Sequence, residues 1–262
     1  MELPLYQIDA FTDSAFAGNP AAVCPLESWL DDERMQAIAA ENNLSETAFF
    51  VPRDDGDFDL RWFTPVAEVE LCGHATLATG HLVLTRLQPA RESVCFHTRS
   101  GRLDVTRDGG RLAIDFPANP AQPAAAPEGL GPALGCDTDE VLATGNHYLV
   151  VLGDERAVLG LAPDMAGIQA LDRRGVIVTA PGGDCDFVSR FFAPARGIPE
   201  DPVTGSAHCV LVPYWADRLG TDDLHARQVS ARGGELFCRL RGDRVRISGS
   251  AVLYLEGKIL VP

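Results

Sequence analysis

A short motif that occurs twice constrains this chain more than any other feature. Arg61-Trp62-Phe63-Thr64-Pro65 returns as Arg190-Phe191-Phe192-Ala193-Pro194. In the first copy an acidic stretch containing Glu68 and Glu70 runs into Cys72-Gly73-His74-Ala75. In the second, Glu200-Asp201 runs into Thr204-Gly205-Ser206-Ala207. A helical pattern follows each copy. The second copy is three residues longer between its proline and its glycine, eleven positions from Pro194 to Gly205 against eight from Pro65 to Gly73. A module of strand, loop, glycine and helix that occurs twice reads as a duplicated half-domain, its two equivalent loops facing each other.

The 262 residues suffice for two compact domains. A proline-rich stretch at 117–135 (Pro117, Pro120, Pro123, Pro127, Pro132) divides them and reads as a connection without regular pairing. The expected organisation is an N-terminal half-domain at 1–117, a C-terminal half-domain at 118–250, and a final strand at 251–262 that returns to the first half. Strand-like runs lie at 5–11, 58–63, 93–97 and 112–116, then at 148–152, 176–179, 187–192 and 245–247. Helical spacing covers 31–42, 74–86, 164–171 and 206–219. Strands outnumber helices, so the fold class is α+β, with two pseudo-symmetric domains built on mixed, largely antiparallel sheet.

Charge narrows the partners. A net charge of −15 with only 22 basic residues opposes nucleic-acid binding, which needs Lys and Arg against phosphate. No window approaches the ~18–20 apolar residues of a membrane-spanning helix, and the start carries no secretory pattern, so a cytoplasmic protein is expected. The seven cysteines are spaced too widely for a CxxC pair. They read as reduced thiols, mostly buried, with Cys72 the exception, and no metal site is expected. Dinucleotide and P-loop glycine patterns and the nucleophile elbow are absent from the sequence.

The two loops suggest a site. Each delivers a glycine (Gly73, Gly205) at a helix start, where free N–H groups and a partial positive charge bind anions without a cationic side chain. A small carboxylate substrate fits an acidic protein on those terms. Ordinary helix capping by Thr204 or Ser206 explains either loop alone. His74 follows the first glycine, where the positive helix end favours a neutral imidazole. Asp201, just before Pro202, can accept a proton or orient a partner. Glu46, between an amphipathic helix and an apolar strand, is the strongest base candidate: partial desolvation suits a carboxyl group that must take and return a proton.

These residues lie in stretches that resemble the phenazine-biosynthesis isomerase (PhzF-like) family, which shares the diaminopimelate epimerase fold. The marks are QIDAFTDSAFAGNPAAVC at 7–24, NLSETAFF at 43–50, RWFTPVAEVELCGHATLATGH at 61–81, DFPANP at 115–120 and GIPEDPVTGSAH at 197–208. The resemblance implies two similar domains, each a sheet curled around a central helix, with the site between them, and a homodimer without cofactor. It implies Glu46 as general base and acid, His74 and Asp201 lining the site, and Gly73, Gly205 and Ser206 holding substrate. The best-known member shifts a proton along the conjugated carbons of a dihydro-hydroxyanthranilate.

Diaminopimelate epimerases place a cysteine before the glycine in both halves. Here the first half keeps Cys72 but the second has Thr204, whose hydroxyl is too weak an acid for the task. The expected activity is therefore an intramolecular proton shift on a small carboxylate-bearing substrate. Two alternatives stay open: an epimerase or racemase using Cys72, and a silent binding protein that kept the site.

Overall fold

A computed structural model describes residues 1–138 and 140–261. The chain divides into two compact units, Met1–Asp115 with Ser248–Pro262, and Phe116–Ile247. Both are α+β.

The first unit runs β1 (Glu2–Ala10), β2 (Asn19–Pro25), α1 (Asp32–Asn42), β3 (Glu46–Pro52), β4 (Phe58–Phe63), β5 (Glu68–Val69), α2 (Gly73–Leu82), β6 (Ser93–Thr98), β7 (Gly101–Asp108) and β8 (Arg111–Pro117). β1 pairs antiparallel with β2, β2 parallel with β3, and β3 antiparallel with β4. β4 pairs antiparallel with β5 and parallel with β6, and β6, β7 and β8 form a meander. β2 lies between two partners and is buried along nearly its whole length, so it reads as apolar without alternation. α1 opens at Asp31, whose side chain accepts the Arg34 N–H at 2.8 Å, and turns Met35, Ile38 and Ala39 inward. α2 is buried on nearly every side and touches β1, β2, β3 and β7, so the sheet curls around it. Gly80 makes that possible: a Cβ there would sit 2.6 Å from Val105 Cγ1 on β7.

The second unit runs β9 (Gln122–Pro123), α3 (Leu130–Leu134), β10 (Glu140–Ala143), β11 (His147–Val151), α4 (Glu155–Leu159), α5 (Met165–Gln169), β12 (Gly175–Pro181), β13 (Phe187–Ala193), β14 (Ile198–Asp201), α6 (Gly205–Leu219), β15 (Asp223–Gln228) and β16 (Gly234–Arg241). β17 (Arg244–Gly249) follows, and β18 (Ala251–Leu260) pairs antiparallel with β1. β10 to β15 repeat the pairing of β1 to β6: antiparallel, parallel, antiparallel, antiparallel, then a parallel partner for the fourth strand. Trp215 of α6 stacks on Phe187 of β13 with ring centroids 5.6 Å apart, and its N–H donates to Thr179 Oγ1 at 3.0 Å. Pro213 lies inside α6 and withholds a donor from the Cys209 carbonyl, which accepts the Asn119 N–H instead at 2.9 Å.

The repeated motif has a physical core. Arg61 donates to both oxygens of Glu68 at 2.7 and 2.8 Å, and Arg190 to both oxygens of Glu200 at the same two distances. Each guanidinium also lies over the aromatic ring two residues on, Phe63 at 5.2 Å and Phe192 at 4.9 Å. Arginine and glutamate are seven positions apart in the first copy and ten in the second. The three extra residues therefore precede the glutamate, where Pro194–Arg196 forms a 3-10 turn.

Three expectations need correction. The stretch 117–135 is not free of regular structure: β9 pairs with β10, and α3 follows it. The helix expected over 74–86 ends at Leu82 and continues as a π turn, Val83–Leu87. α5 occupies only Met165–Gln169 of the helical pattern at 164–171.

Candidate active site

In the first unit β3, α2 and the start of β2 bring four polar side chains together. Glu46, the first residue of β3, is 9% exposed, and the strand beyond Thr47 runs buried and apolar from Ala48 to Val51. Its Oε2 lies 3.2 Å from His74 Nε2. On the other side of the ring, Asn19 Nδ2 lies 3.1 Å and Cys72 Sγ 3.5 Å from His74 Nδ1. An amide nitrogen and a thiol are donors, so Nδ1 accepts and the ring proton sits on Nε2, toward Glu46. Burial lowers the His74 pKa to about 3 and keeps the imidazole neutral. The contact between Nε2 and Glu46 is close, but among the described residues the buried ring N–H has no aligned acceptor. A donor held in that state suits a hydrogen bond that forms only with a reacting partner.

The backbone adds a second feature. Cys72 and Thr204 occupy the same position before α2 and α6, with φ/ψ of −144°/109° and −120°/103°. Neither side chain caps its helix. The leading N–H groups at Gly73 and at Gly205-Ser206 are thus not claimed by the preceding side chain, which removes the capping explanation for Thr204. Thr204 instead donates its hydroxyl to Asp201 Oδ2 at 2.5 Å. Ser206 is exposed in the first turn of α6, and Asp201 is half-buried at the end of β14.

Gln228, 1% exposed, braces this second loop. Its Oε1 accepts the Thr204 N–H at 2.8 Å, and its Nε2 donates to the Asp201 carbonyl at 2.7 Å and to Thr204 Oγ1 at 3.1 Å. Glu46, Gly73 and His74 thus converge in the first unit, and Asp201, Gly205 and Ser206 in the second. Asn19 and Gln228 were not singled out from the sequence. The signal for Asn19 was its place after Gly18, whose φ of +66° and contact with the Ala10 carbonyl allow no side chain.

The donor atoms of Glu46, Cys72 and His74 lie within 4.8 Å of one another. The sulfur and the carboxylate oxygen make their closest contacts at opposite ring nitrogens, so those contacts do not share one donor atom of His74. The cluster fits proton chemistry better than metal ligation.

Comparison with known proteins shows the family and the fold. The family profile for phenazine biosynthesis-like protein (PhzC-PhzF) matches residues 8–257. An uncharacterized isomerase of Pseudomonas aeruginosa is 58% identical over 259 residues, covering 99% of each chain. A crystal structure of a PhzF-family protein from Enterococcus faecalis superposes with a TM-score of 0.96 at 45% identity, covering 100% of both chains. A predicted epimerase of Pseudomonas aeruginosa shares the fold at a TM-score of 0.74 and 22% identity, covering 99% of this chain and 100% of its own. The duplicated strand pattern, the paired helix starts and these matches make this chain a member of the phenazine biosynthesis-like (PhzF) family, a family of isomerases.

Proposed function

We propose that the protein catalyses an intramolecular proton shift on a small carboxylate-bearing substrate, with Glu46 as the group that removes and returns the proton. Glu46 takes a proton from carbon, and the electron pair left behind spreads into the adjoining conjugated system. The same carboxyl then protonates a different carbon, so the formula is unchanged. His74, neutral and protonated on Nε2, donates to the developing negative charge or to Glu46 itself. Gly73, Gly205 and Ser206 bind substrate through main-chain N–H groups at the helix starts. A partly buried helix terminus contributes roughly 0.3–2 kcal/mol to holding an anion. Asp201 acts through Thr204, orienting the second loop. The chemistry draws on side chains and peptide groups alone.

The observation that carries this reading is the placement of a nearly buried carboxylate 3.2 Å from a neutral histidine at an uncapped helix start. Incubation of the protein with a panel of small unsaturated carboxylic acids in deuterated water tests it. The reading expects at least one acid to gain carbon-bound deuterium and yield an isomer of equal formula. Binding without exchange across the panel would favour a silent binding protein.

One observation favours a second reading, an epimerase using Cys72. The Cys72 sulfur lies at the start of α2, 3.5 Å from His74 Nδ1, where a ring nitrogen can take the thiol proton. Inversion at a stereocentre, abolished by alkylation of Cys72, distinguishes it.

A further inference from the structure

We propose that Asp57, Cys95 and His97 form a zinc-binding site in the first unit, separate from the cluster around Glu46. Cys95 and His97 stand two residues apart on β6, so their side chains leave the same face of the sheet. Asp57 precedes β4, which pairs with β6 in the register Phe58–Phe96 and Asp59–His97. The site thus lies at the far end of β3 from Glu46, about 20 Å away at ~3.3 Å per residue.

The three donors converge on one ring nitrogen. Cys95 Sγ lies 3.7 Å and Asp57 Oδ2 3.4 Å from His97 Nε2. A tetrahedral zinc ion with bonds of roughly 2.3 Å to sulfur, 2.05 Å to nitrogen and 2.0 Å to oxygen requires edges of about 3.6 Å (S–N) and about 3.3 Å (O–N). The two edges at His97 Nε2 lie within about 0.1 Å of these values, and the three donor atoms all lie within 4.8 Å of one another. One thiol, one imidazole and one carboxylate form a donor set suited to zinc rather than to magnesium or calcium.

The surroundings fit. Cys95 is 4% exposed, whereas the Asp57 and His97 side chains keep 23% and 35% of their surface, which leaves a path for the ion and a fourth position for water. Arg91 Nη2 lies 3.7 Å from Asp57 Oδ1, which turns the other oxygen toward the histidine. Arg102, another nearby cation, is held by both oxygens of Asp104, the residue opposite Cys95 on β7. Burial, with Asp104 and Asp57 close by, pushes the Cys95 thiol up to about 12, so the apo site keeps its proton. A divalent cation reverses that balance: the thiol releases its proton to solvent as the metal–sulfur bond forms.

Cobalt(II) titration of the purified full chain, stripped of metal with chelator, tests the proposal. We expect a thiolate-to-cobalt charge-transfer band that saturates at a single equivalent and is displaced by zinc. Cys95→Ser and His97→Ala should abolish the band, with circular dichroism reporting the fold. Asp57→Asn, in a turn and outside the core, should weaken cobalt binding by at least about tenfold. Cys72→Ser should leave the band intact. Absence of a saturable band in the wild type, or its survival in Cys95→Ser, overturns the proposal.

Discussion

The tautomer of His74 depends on one amide, and replacing it makes a measurable perturbation. Asn19→Asp keeps the side-chain shape but sets a carboxylate about where Nδ2 stands, 3.1 Å from His74 Nδ1. Nδ1 then becomes the protonated nitrogen, and Nε2 loses the proton it directs at Glu46. At an effective dielectric of ~20, unit charges at that distance attract with about 5 kcal/mol. At ~1.4 kcal/mol per decade this favours the imidazolium roughly 1,000-fold or more. Burying the new carboxylate offsets part of that, so a gain of at least ~100-fold is the working expectation. The wild-type ring, held at about 3, stays neutral across the neutral range, whereas the variant ring should titrate well above that. Nitrogen-15 NMR of histidine-labelled protein reads both tautomer and charge, with His74→Gln assigning the signal among the six histidines. A His74 spectrum and titration unchanged in folded Asn19→Asp would refute the reasoning.

Other predictions follow from burial and packing. His74, His147 and His208 are buried, with pKa values lowered to about 3, 4 and 4, each first by burial. Below pH ~6.5 the unfolded chain takes up protons that the folded chain refuses. Denaturant stability should thus fall from pH ~6.5 to ~4 by up to about 1.4 kcal/mol per pH unit per histidine, with no slope from these groups above pH 7. A flat profile across that window would contradict the burial of these rings. Gly80→Ala should cost about 1–3 kcal/mol, because its Cβ would meet Val105 at 2.6 Å. That outweighs the ~1 kcal/mol gained in helix propensity, and Val105→Ala should relieve only part of the clash in the double variant, since its Cβ still lies 2.9 Å from the new one. Glu200→Gln should cost roughly 1–3 kcal/mol in urea unfolding, since Arg190 is left half-buried without its bidentate partner.

Much of this structure was legible in the sequence, for identifiable reasons. The runs at 58–63 and 187–192 are rich in aromatic residues, with one arginine each on the clamp face, and they appear as β4 and β13. Gly73 and Gly205, the first residues of α2 and α6, mark the two helix starts. The paired Arg–Glu clamps were half visible: the motif and the acids stood out, but a three-residue turn shifted the second glutamate out of register. Asn19 and Gln228 act on residues far away in the chain, His74 and Thr204, and local pattern carries no trace of that. The same holds for Asp57 beside Cys95 and His97. The pair on β6 has no metal-binding spacing of its own, and only the parallel pairing of β4 with β6 supplies the third ligand. Cys209 and Pro213 show the reverse case, where a proline in a helical pattern is tolerated because a distant N–H takes the spare carbonyl.

The central claim is that a single carboxyl group moves hydrogen off and onto carbon. Glu46→Gln preserves shape and removes that capacity. On whichever acid the wild type labels in deuterated water, the variant should exchange about 100- to 10,000-fold more slowly, with its circular dichroism and ligand affinity intact. Exchange at the wild-type rate in the folded variant would contradict the account.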